Sequence, residues 1–178
     1  MSDSFSLQIY TVGHSTRTLD ELLAILEEYK IGILADIRTV PRSRTNPQFN
    51  KDTLSVFLED KGIAYVHLKS LGGLRHPRKD SQNLAWTNTS FRGYADHMQT
   101  EEFENGIKDL LRLARKERVA IMCAEALPWR CHRRLVADSL AARGMEVFDI
   151  LSVKRKQIHE LTKWAKVDGT SITYPKQI

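Results

Sequence analysis

The chain has 178 residues, which suits a single domain with a sizeable apolar core. Its apolar share of 42% and its charged share of 28% are those of an ordinary globular protein. No apolar run approaches the roughly 20 residues that a transmembrane helix needs, so we expect no membrane contact. The net charge of +5 indicates an anionic small molecule or nucleic acid as partner, and it predicts no oligomeric state.

The N-terminus lacks the basic start and the apolar stretch of a signal peptide. We therefore expect a cytoplasmic protein, in which the two cysteines are reduced thiols rather than a structural disulfide. Neither a Walker loop nor a Gly-x-Gly-x-x-Gly turn follows the first predicted strand, which argues against ordinary ATP and dinucleotide binding.

Predicted strands and helices alternate along the chain. Strands are expected over residues 8–12, 33–37, 63–68, 119–122 and 146–151. Helices are expected after the capping residues Thr18 and Thr100, over 51–60, near 91–98, from Pro128 to Gly144 and over 158–165. The alternation predicts an α/β fold, a single three-layer α/β/α domain with a mainly parallel sheet of about five strands. This domain covers residues 1–178, with its core at about 8–151 and a C-terminal extension over 152–178.

Polar side chains follow four of the predicted strands. They are His14, the pair Asp36 and Arg38, His67 and Cys123. Parallel sheets bind ligands beyond the carboxyl ends of their strands, so these side chains are expected to converge on one site. Two of the loops there are basic. Residues 38–50 contain three arginines and no acid, and residues 67–79 contain four lysines or arginines and no acid.

The fourth predicted strand leads into a segment that contains both cysteines. The strand ends on Cys123, a polar turn carries Glu125, and Pro128 suits the first turn of a helix. Cys131 is then expected in that first turn, where free backbone N–H groups and the helix dipole favour a thiolate. Positive charge is added by Arg130, Arg133 and Arg134.

Cys123 is a candidate nucleophile. A cysteine at a strand end that faces a helix start is typical of cysteine phosphatases and rhodaneses, whose loop N–H groups and arginine bind an anion. Here six residues separate Cys123 from Arg130 instead of the five of the phosphatase signature, and the loop has no glycine. A nucleophilic thiol and a merely buried one are both open.

The same cysteines suggest a metal site as an alternative. Cys123, Cys131 and His132 could bind zinc together with His14 or His67 from a neighbouring strand end. The spacing is no standard zinc signature, and hydrogen-bonded histidines are the competing interpretation. We predict no cofactor and keep zinc as the alternative.

Two carboxylates are candidates for acid–base chemistry. Asp36 and Glu125 follow two of the strands and could act as general base and acid. Asp36 has a competing role, since it could orient Arg38 or Arg42 through a charge-assisted pair.

Arginines from several segments are expected to gather at the strand ends and bind an anion. They are Arg38, Arg42, Arg44, Arg75, Arg92, Arg130, Arg133 and Arg134. Aromatic side chains in or beside the same loops either stack on bases or pack the loops down. They are Phe49, Trp86, Phe91, Tyr94 and Trp129.

Five motifs occur in order along the chain. They are Tyr10-Thr-Val-Gly-His-Ser15, Asp36-Ile-Arg-Thr-Val-Pro-Arg-Ser-Arg44, Leu71-Gly-Gly73, Phe91-Arg-Gly-Tyr-Ala95 and Cys123-Ala-Glu125 with Cys131-His-Arg-Arg134. As a set they resemble the family called domain of unknown function 488. The resemblance implies a single α/β domain with a shared site at these segments. It adds Ser15, Gly72, Gly73, Arg92, Tyr94, Cys131 and His132 to the residues expected to bind substrate.

We therefore expect an enzyme that acts on a phosphate-bearing substrate, a nucleotide or nucleic acid. Its expected catalytic residues are Cys123, Glu125, His14 and Asp36. Phosphoryl, glycosyl and sulfur transfer are all open as its reaction. Two alternatives remain beside it: a non-catalytic nucleic-acid-binding protein that uses the same arginines, and a sensor based on the thiols or a bound metal.

Overall fold

The computed structural model of the chain describes residues 6–178. Its strands are β1 (Gln8–Gly13), β2 (Ile33–Asp36), β3 (Ala64–His67), β4 (Val119–Cys123), β5 (Glu146–Ser152), β6 (Arg155–Ile158), β7 (Lys166–Asp168) and β8 (Ser171–Thr173). Its α-helices are α1 (Leu19–Glu28), α2 (Lys51–Asp60), α3 (Thr89–His97), α4 (Glu101–Lys116) and α5 (Arg133–Ala142). The signal-peptide prediction rests mainly on residues 1–5, which lie outside the described part.

Strands β1 to β6 form one sheet in the order β3-β2-β4-β1-β5-β6. The first five strands are parallel, and β6 pairs antiparallel with β5 at the edge. The prediction of an α/β fold with a mainly parallel sheet is therefore confirmed, with one strand more than expected. Within residues 6–178, no helix combines the length and the apolar character needed to cross a membrane.

The sheet buries an apolar core on each face. Leu22 of α1 and Leu54 of α2 pack on the face that carries Tyr10 and Met122. Helices α3, α4 and α5 cover the opposite face, where strand residues such as Ile121 point. Alternate residues of a strand point to opposite faces, so the strands between the two helix layers are apolar on both sides. The start of α1 follows its sequence signal, since Thr18 forms a capping box with Glu21 as predicted.

Strands β1 and β4 lie side by side at the point where the chain changes direction across the sheet. From β1 the chain moves toward β2, and from β4 it moves to the other side toward β5. The loop after β4 crosses the end of β1 so closely that a Cβ on Gly13 would lie 1.7 Å from the carbonyl oxygen of Glu125. The backbone N–H of His14 donates to the Cys123 carbonyl at 2.9 Å. Open α/β sheets bind ligands at such a point.

The helix expected from Pro128 begins later than predicted. Pro128–Arg130 forms a short 3-10 turn, and Cys131 is extended, with φ −133° and ψ 151°. Helix α5 starts at Arg133, whose backbone N–H donates to the Cys131 sulfur at 3.4 Å. Cys131 thus precedes the helix instead of lying in its first turn, because its sulfur accepts from one of the free N–H groups at the helix start.

The helix predicted over residues 158–165 is wrong. Strand β6 occupies the start of this segment, and the rest is irregular up to the β7–β8 hairpin. The cause is tertiary: the His159 imidazole and the Thr162 backbone N–H both bind the buried carboxylate of Asp138 on α5. The hydroxyl of Tyr174 donates to the same carboxylate at 2.7 Å. These contacts hold the C-terminal segment in an extended path across α5.

Candidate active site

A cavity of about 590 Å³ opens beyond the carboxyl ends of the strands, on the side of β4 and β2. Its size suits a small organic ligand. Its walls combine thiols, histidine, arginines, small polar groups and a few apolar side chains. The lining residues are Arg38, Thr39, Val40, Arg42, Gly73, Leu74, Asn88, Ser90, Phe91, Tyr94, Cys123, Ala124, Glu125, Arg130, Cys131 and His132.

The thiol of Cys123 contacts a guanidinium that is fully buried. Nη1 of Arg133 lies 3.0 Å from the Cys123 sulfur and 3.0 Å from the backbone oxygen of Glu125. Nη2 donates to the backbone oxygen of Ala126 at 3.3 Å, and Nε lacks a partner among the described residues. No described carboxylate forms an ion pair with this side chain. The buried positive charge of Arg133 requires a counter-charge. The neighbouring group that can supply it is the Cys123 thiol, in its thiolate form.

The two thiols have opposite protonation tendencies. Burial by itself raises the pKa of Cys123, but the hydrogen bond with Cys131 and the charge of Arg133 outweigh it and lower this pKa to about 7. Burial raises the pKa of Cys131 well above its ordinary value, and the neighbouring Cys123 raises it further. At neutral pH about half of the Cys123 thiol is therefore ionised, while Cys131 keeps its proton.

His132 is a neutral base beside this pair. Its Nε2 lies 3.0 Å from the backbone oxygen of Ile37 and therefore carries the ring proton, which leaves Nδ1 as a lone pair 3.5 Å from the Cys131 sulfur. Burial lowers the pKa of His132 to about 4, and the nearby Arg133 and Arg75 act in the same direction. The ring is uncharged at neutral pH, and its Nδ1 can accept a hydrogen bond from the Cys131 thiol.

Arg38 is presented to the cavity by a rigid set of contacts. Asp36 accepts from Nε at 2.9 Å and from Nη2 at 2.7 Å, and the backbone oxygen of Phe49 accepts from Nη2 at 2.7 Å. Nη1 lies 3.3 Å from Nε2 of His14. These contacts use four of the five N–H groups of the guanidinium, so one on Nη1 is left for a ligand.

Asp36 and His14 lie behind Arg38. Asp36 is fully buried and also accepts from the hydroxyl of Tyr65, which matches its alternative role of orienting Arg38. His14 stacks on Phe49 with ring centroids 4.3 Å apart, and burial lowers the pKa of His14 to about 4. A neutral His14 accepts from Arg38 without opposing its charge.

The structure brings nine of the predicted site residues to the cavity wall. They are Arg38, Arg42, Gly73, Tyr94, Cys123, Glu125, Arg130, Cys131 and His132, and the predicted aromatic side chain of Phe91 lines the cavity as well. The other predicted residues lie elsewhere: Ser15 lines a separate cavity with Arg17, Arg44 is exposed on its loop, and Arg92 donates to the backbone oxygen of Trp86. His14, Asp36, Gly72 and Arg133 are buried behind the lining.

The metal alternative finds no assembled site in the described part of the chain. Among residues 6–178, no three His, Cys, Asp or Glu side chains are grouped so that they could hold a metal ion. Both ring nitrogens of His14 have protein partners, and Nε2 of His67 lies 2.7 Å from the backbone oxygen of Arg38.

Six lining residues were not predicted from the sequence. They are Thr39, Val40, Leu74, Asn88, Ser90 and Ala124. The sequence did contain a signal for the position of Asn88, because Asn is a preferred residue at a helix start. Its side chain caps α3 by accepting from the backbone N–H groups of Ser90 and Phe91. Leu74 directly follows the Gly72–Gly73 pair, but an apolar residue in a loop gives no sign of its direction.

One comparison with known proteins identifies a family. The family model described as Domain of unknown function DUF488 matches residues 18–140, more than half of the chain, and the chain belongs to this family. Neither the search of curated proteins nor the search of solved structures gives a significant match.

Proposed function

We propose that this member of the DUF488 family is an enzyme whose Cys123 thiolate attacks a phosphate-bearing substrate bound in the cavity. The observation that carries the proposal is the contact between Cys123 and the fully buried Arg133, which has no carboxylate partner among the described residues. A thiolate is the reactive form of cysteine, and this one lies at the wall of a cavity that a ligand can enter. A cytoplasmic location, where thiols stay reduced, belongs to the same proposal.

Three arginines support a substrate that carries phosphate. Arg42 and Arg130 are exposed and line the cavity, and Arg38 contributes the N–H group that its protein partners leave free. Guanidinium groups bind phosphate oxygens through short charge-assisted hydrogen bonds. Among residues 6–178, Glu125 is the one carboxylate that lines the cavity, and it would act on the substrate as an acid or base.

The proposed step is a nucleophilic displacement. A lone pair of the Cys123 sulfur forms the new bond while the bond to the leaving group breaks, and the leaving group departs with that electron pair. The proton on the Cys131 thiol passes to the leaving group as negative charge develops there, and Cys131 regains a proton from solvent afterwards. Phosphoryl, glycosyl and sulfur transfer all contain such a step.

Bound phosphate is expected to protect Cys123 from alkylation. Iodoacetamide labelling of Cys123, followed by mass spectrometry, should slow as inorganic phosphate or a mononucleotide fills the cavity. The double substitution Arg42→Gln and Arg130→Gln should weaken this protection by about tenfold or more, because two charge-assisted hydrogen bonds are lost. Arg112→Gln is the matched control, since Arg112 is exposed on α4 and bonds Asp109. If the labelling rate of Cys123 is the same at every concentration of phosphate and of mononucleotide, the proposal is contradicted.

The non-catalytic alternative uses the same arginines without the thiolate. It predicts that nucleic acid binds wild type and Cys123→Ser equally and that no covalent adduct with Cys123 forms during incubation. An adduct of Cys123 with a phosphate-bearing substrate, absent from the Cys123→Ser variant, excludes this alternative.

A further inference from the structure

Leu74 is the most exposed large apolar side chain within the cavity wall. It is 81% exposed, and its φ of 56° lies in the left-handed region, which branched apolar residues rarely occupy. Neither this backbone conformation nor the exposure of an apolar side chain to water stabilises the fold. Such outliers persist where the surroundings enforce them, and they cluster at ligand sites.

The surroundings of Leu74 do enforce this conformation. The hydroxyl of Thr39 donates to the backbone oxygen of Gly73 at 2.7 Å, and Nε of Arg75 donates to the backbone oxygen of Gly72 at 3.1 Å. A Cβ on Gly72 would lie 2.5 Å from the Thr39 hydroxyl oxygen, so the turn is packed tightly against the loop that follows β2. Leu74 is therefore held outward on a fixed support.

Exposed apolar side chains and exposed arginines both line the cavity, and together they are called its rim. Val40 is 57% exposed and lines the cavity together with Leu74. The exposed arginines of this rim are Arg42 and Arg130. A free mononucleotide offers one base and one phosphate group, so it can contact only part of this rim at a time. A nucleic-acid strand offers phosphates to the arginines and base faces to the apolar side chains at the same time.

We propose that the rim is a docking surface for a nucleic-acid strand, and that Leu74 inserts beside the one base that enters the cavity. Apolar wedges of this kind replace the stacking that a base loses when it leaves its neighbours. The rim arginines hold the phosphates on either side, and the cavity places the selected nucleotide against Cys123. The inference rests on the proposed function and narrows its substrate from phosphate-bearing compounds in general to a unit of a polynucleotide.

The test compares a fluorescein-labelled oligonucleotide of about 12 nucleotides with a mononucleotide, by fluorescence anisotropy at several salt concentrations. Leu74→Ala should weaken oligonucleotide binding by about tenfold, the effect of losing the burial of one apolar side chain against a base, without changing the salt slope. Arg42→Gln should reduce that slope by about one, because one phosphate contact is lost. Leu84→Ala is the matched control, since Leu84 is 47% exposed and lies outside the cavity wall.

A second variant separates function from folding. Glycine tolerates the left-handed conformation, so Leu74→Gly should raise the midpoint of thermal unfolding while it weakens oligonucleotide binding. Equal oligonucleotide affinity of wild type and Leu74→Ala, or an oligonucleotide that binds no tighter than a mononucleotide, would overturn the inference. If inorganic phosphate still protects Cys123 from alkylation in that case, the proposed function stands and only the inference that a nucleic-acid strand binds the rim is contradicted. If neither phosphate nor a nucleotide protects Cys123 from alkylation, the proposed function and the inference of a nucleic-acid strand are both contradicted.

Discussion

Cys123→Ala is expected to lower the free energy of unfolding by about 3–5 kcal/mol, far more than removal of one thiol from a core position normally costs. The reason is Arg133, whose guanidinium is fully buried and, among residues 6–178, bonds only the Cys123 sulfur and two backbone oxygens. Without the thiolate, a positive charge is left in an apolar environment with no counter-charge. Urea unfolding of both proteins at neutral pH measures the difference.

A double-mutant cycle isolates the charge contribution. In an Arg133→Met background the buried cation is absent, so Cys123→Ala should then cost only about 1–2 kcal/mol, the contribution of side-chain packing. Cys131→Ala is the matched control, because it removes the neighbouring thiol without removing a charge. If Cys123→Ala costs the same in both backgrounds, the pair carries no charge interaction and the Cys123 thiol is neutral.

A second large effect is expected at His159, far from the thiols. Its Nε2 lies 2.8 Å from Asp138 and its Nδ1 lies 3.2 Å from Asp149, and both carboxylates are buried. Burial by itself lowers the pKa of His159, but the hydrogen bonds and charges of the two aspartates outweigh it and raise this pKa to about 9. The imidazolium holds the C-terminal segment against α5 and β5.

This raised pKa makes stability fall with rising pH. The folded protein retains the proton that an unfolded histidine releases near pH 6.5, so the stabilisation is complete below that pH and is lost as the pH passes about 9. A rise of roughly 2.5 units corresponds to about 3 kcal/mol, at 1.36 kcal/mol per unit. Between about pH 6 and pH 10, the wild type should lose about 3 kcal/mol more than His159→Gln, as measured by urea unfolding.

The control for this measurement is His76→Gln, since His76 is an exposed histidine. That variant should follow the wild type at every pH. Identical pH profiles for wild type and His159→Gln would show that the imidazole is not held as a cation between the aspartates.

The sequence was sufficient to predict the five parallel strands and the end of the sheet at which the candidate site residues lie. Apolar runs marked the buried parallel strands, and the polar residues behind them, His14 and Cys123, meet beside one another because β1 and β4 are neighbours. Thr18 and Thr100 were sufficient to locate the starts of α1 and α4. Each side chain accepts from a backbone N–H group only a few residues away, so the signal is local in the sequence. Features that depend on hydrogen bonds within a few residues, or on the spacing of apolar residues along the chain, were predictable.

Features set by contacts between distant segments were not predictable. The sequence grouped Arg133 with the surface arginines, whereas the start of α5 turns its side chain inward to Cys123, ten residues away. The apolar spacing near the C-terminus suggested a helix, but contacts of His159 and Thr162 with Asp138 override it. The outward direction of Leu74 depends on a hydrogen bond from Thr39 to the preceding residue.

The most direct test of the central claim is the pH dependence of Cys123 alkylation, resolved from Cys131 by mass spectrometry of the folded protein. A thiolate stabilised by Arg133 predicts half-maximal reactivity of Cys123 near pH 7, with Cys131 unreactive over the same range. Reaction of Cys123 only above the ordinary cysteine pKa of about 8.5, or only after unfolding, would contradict the claim.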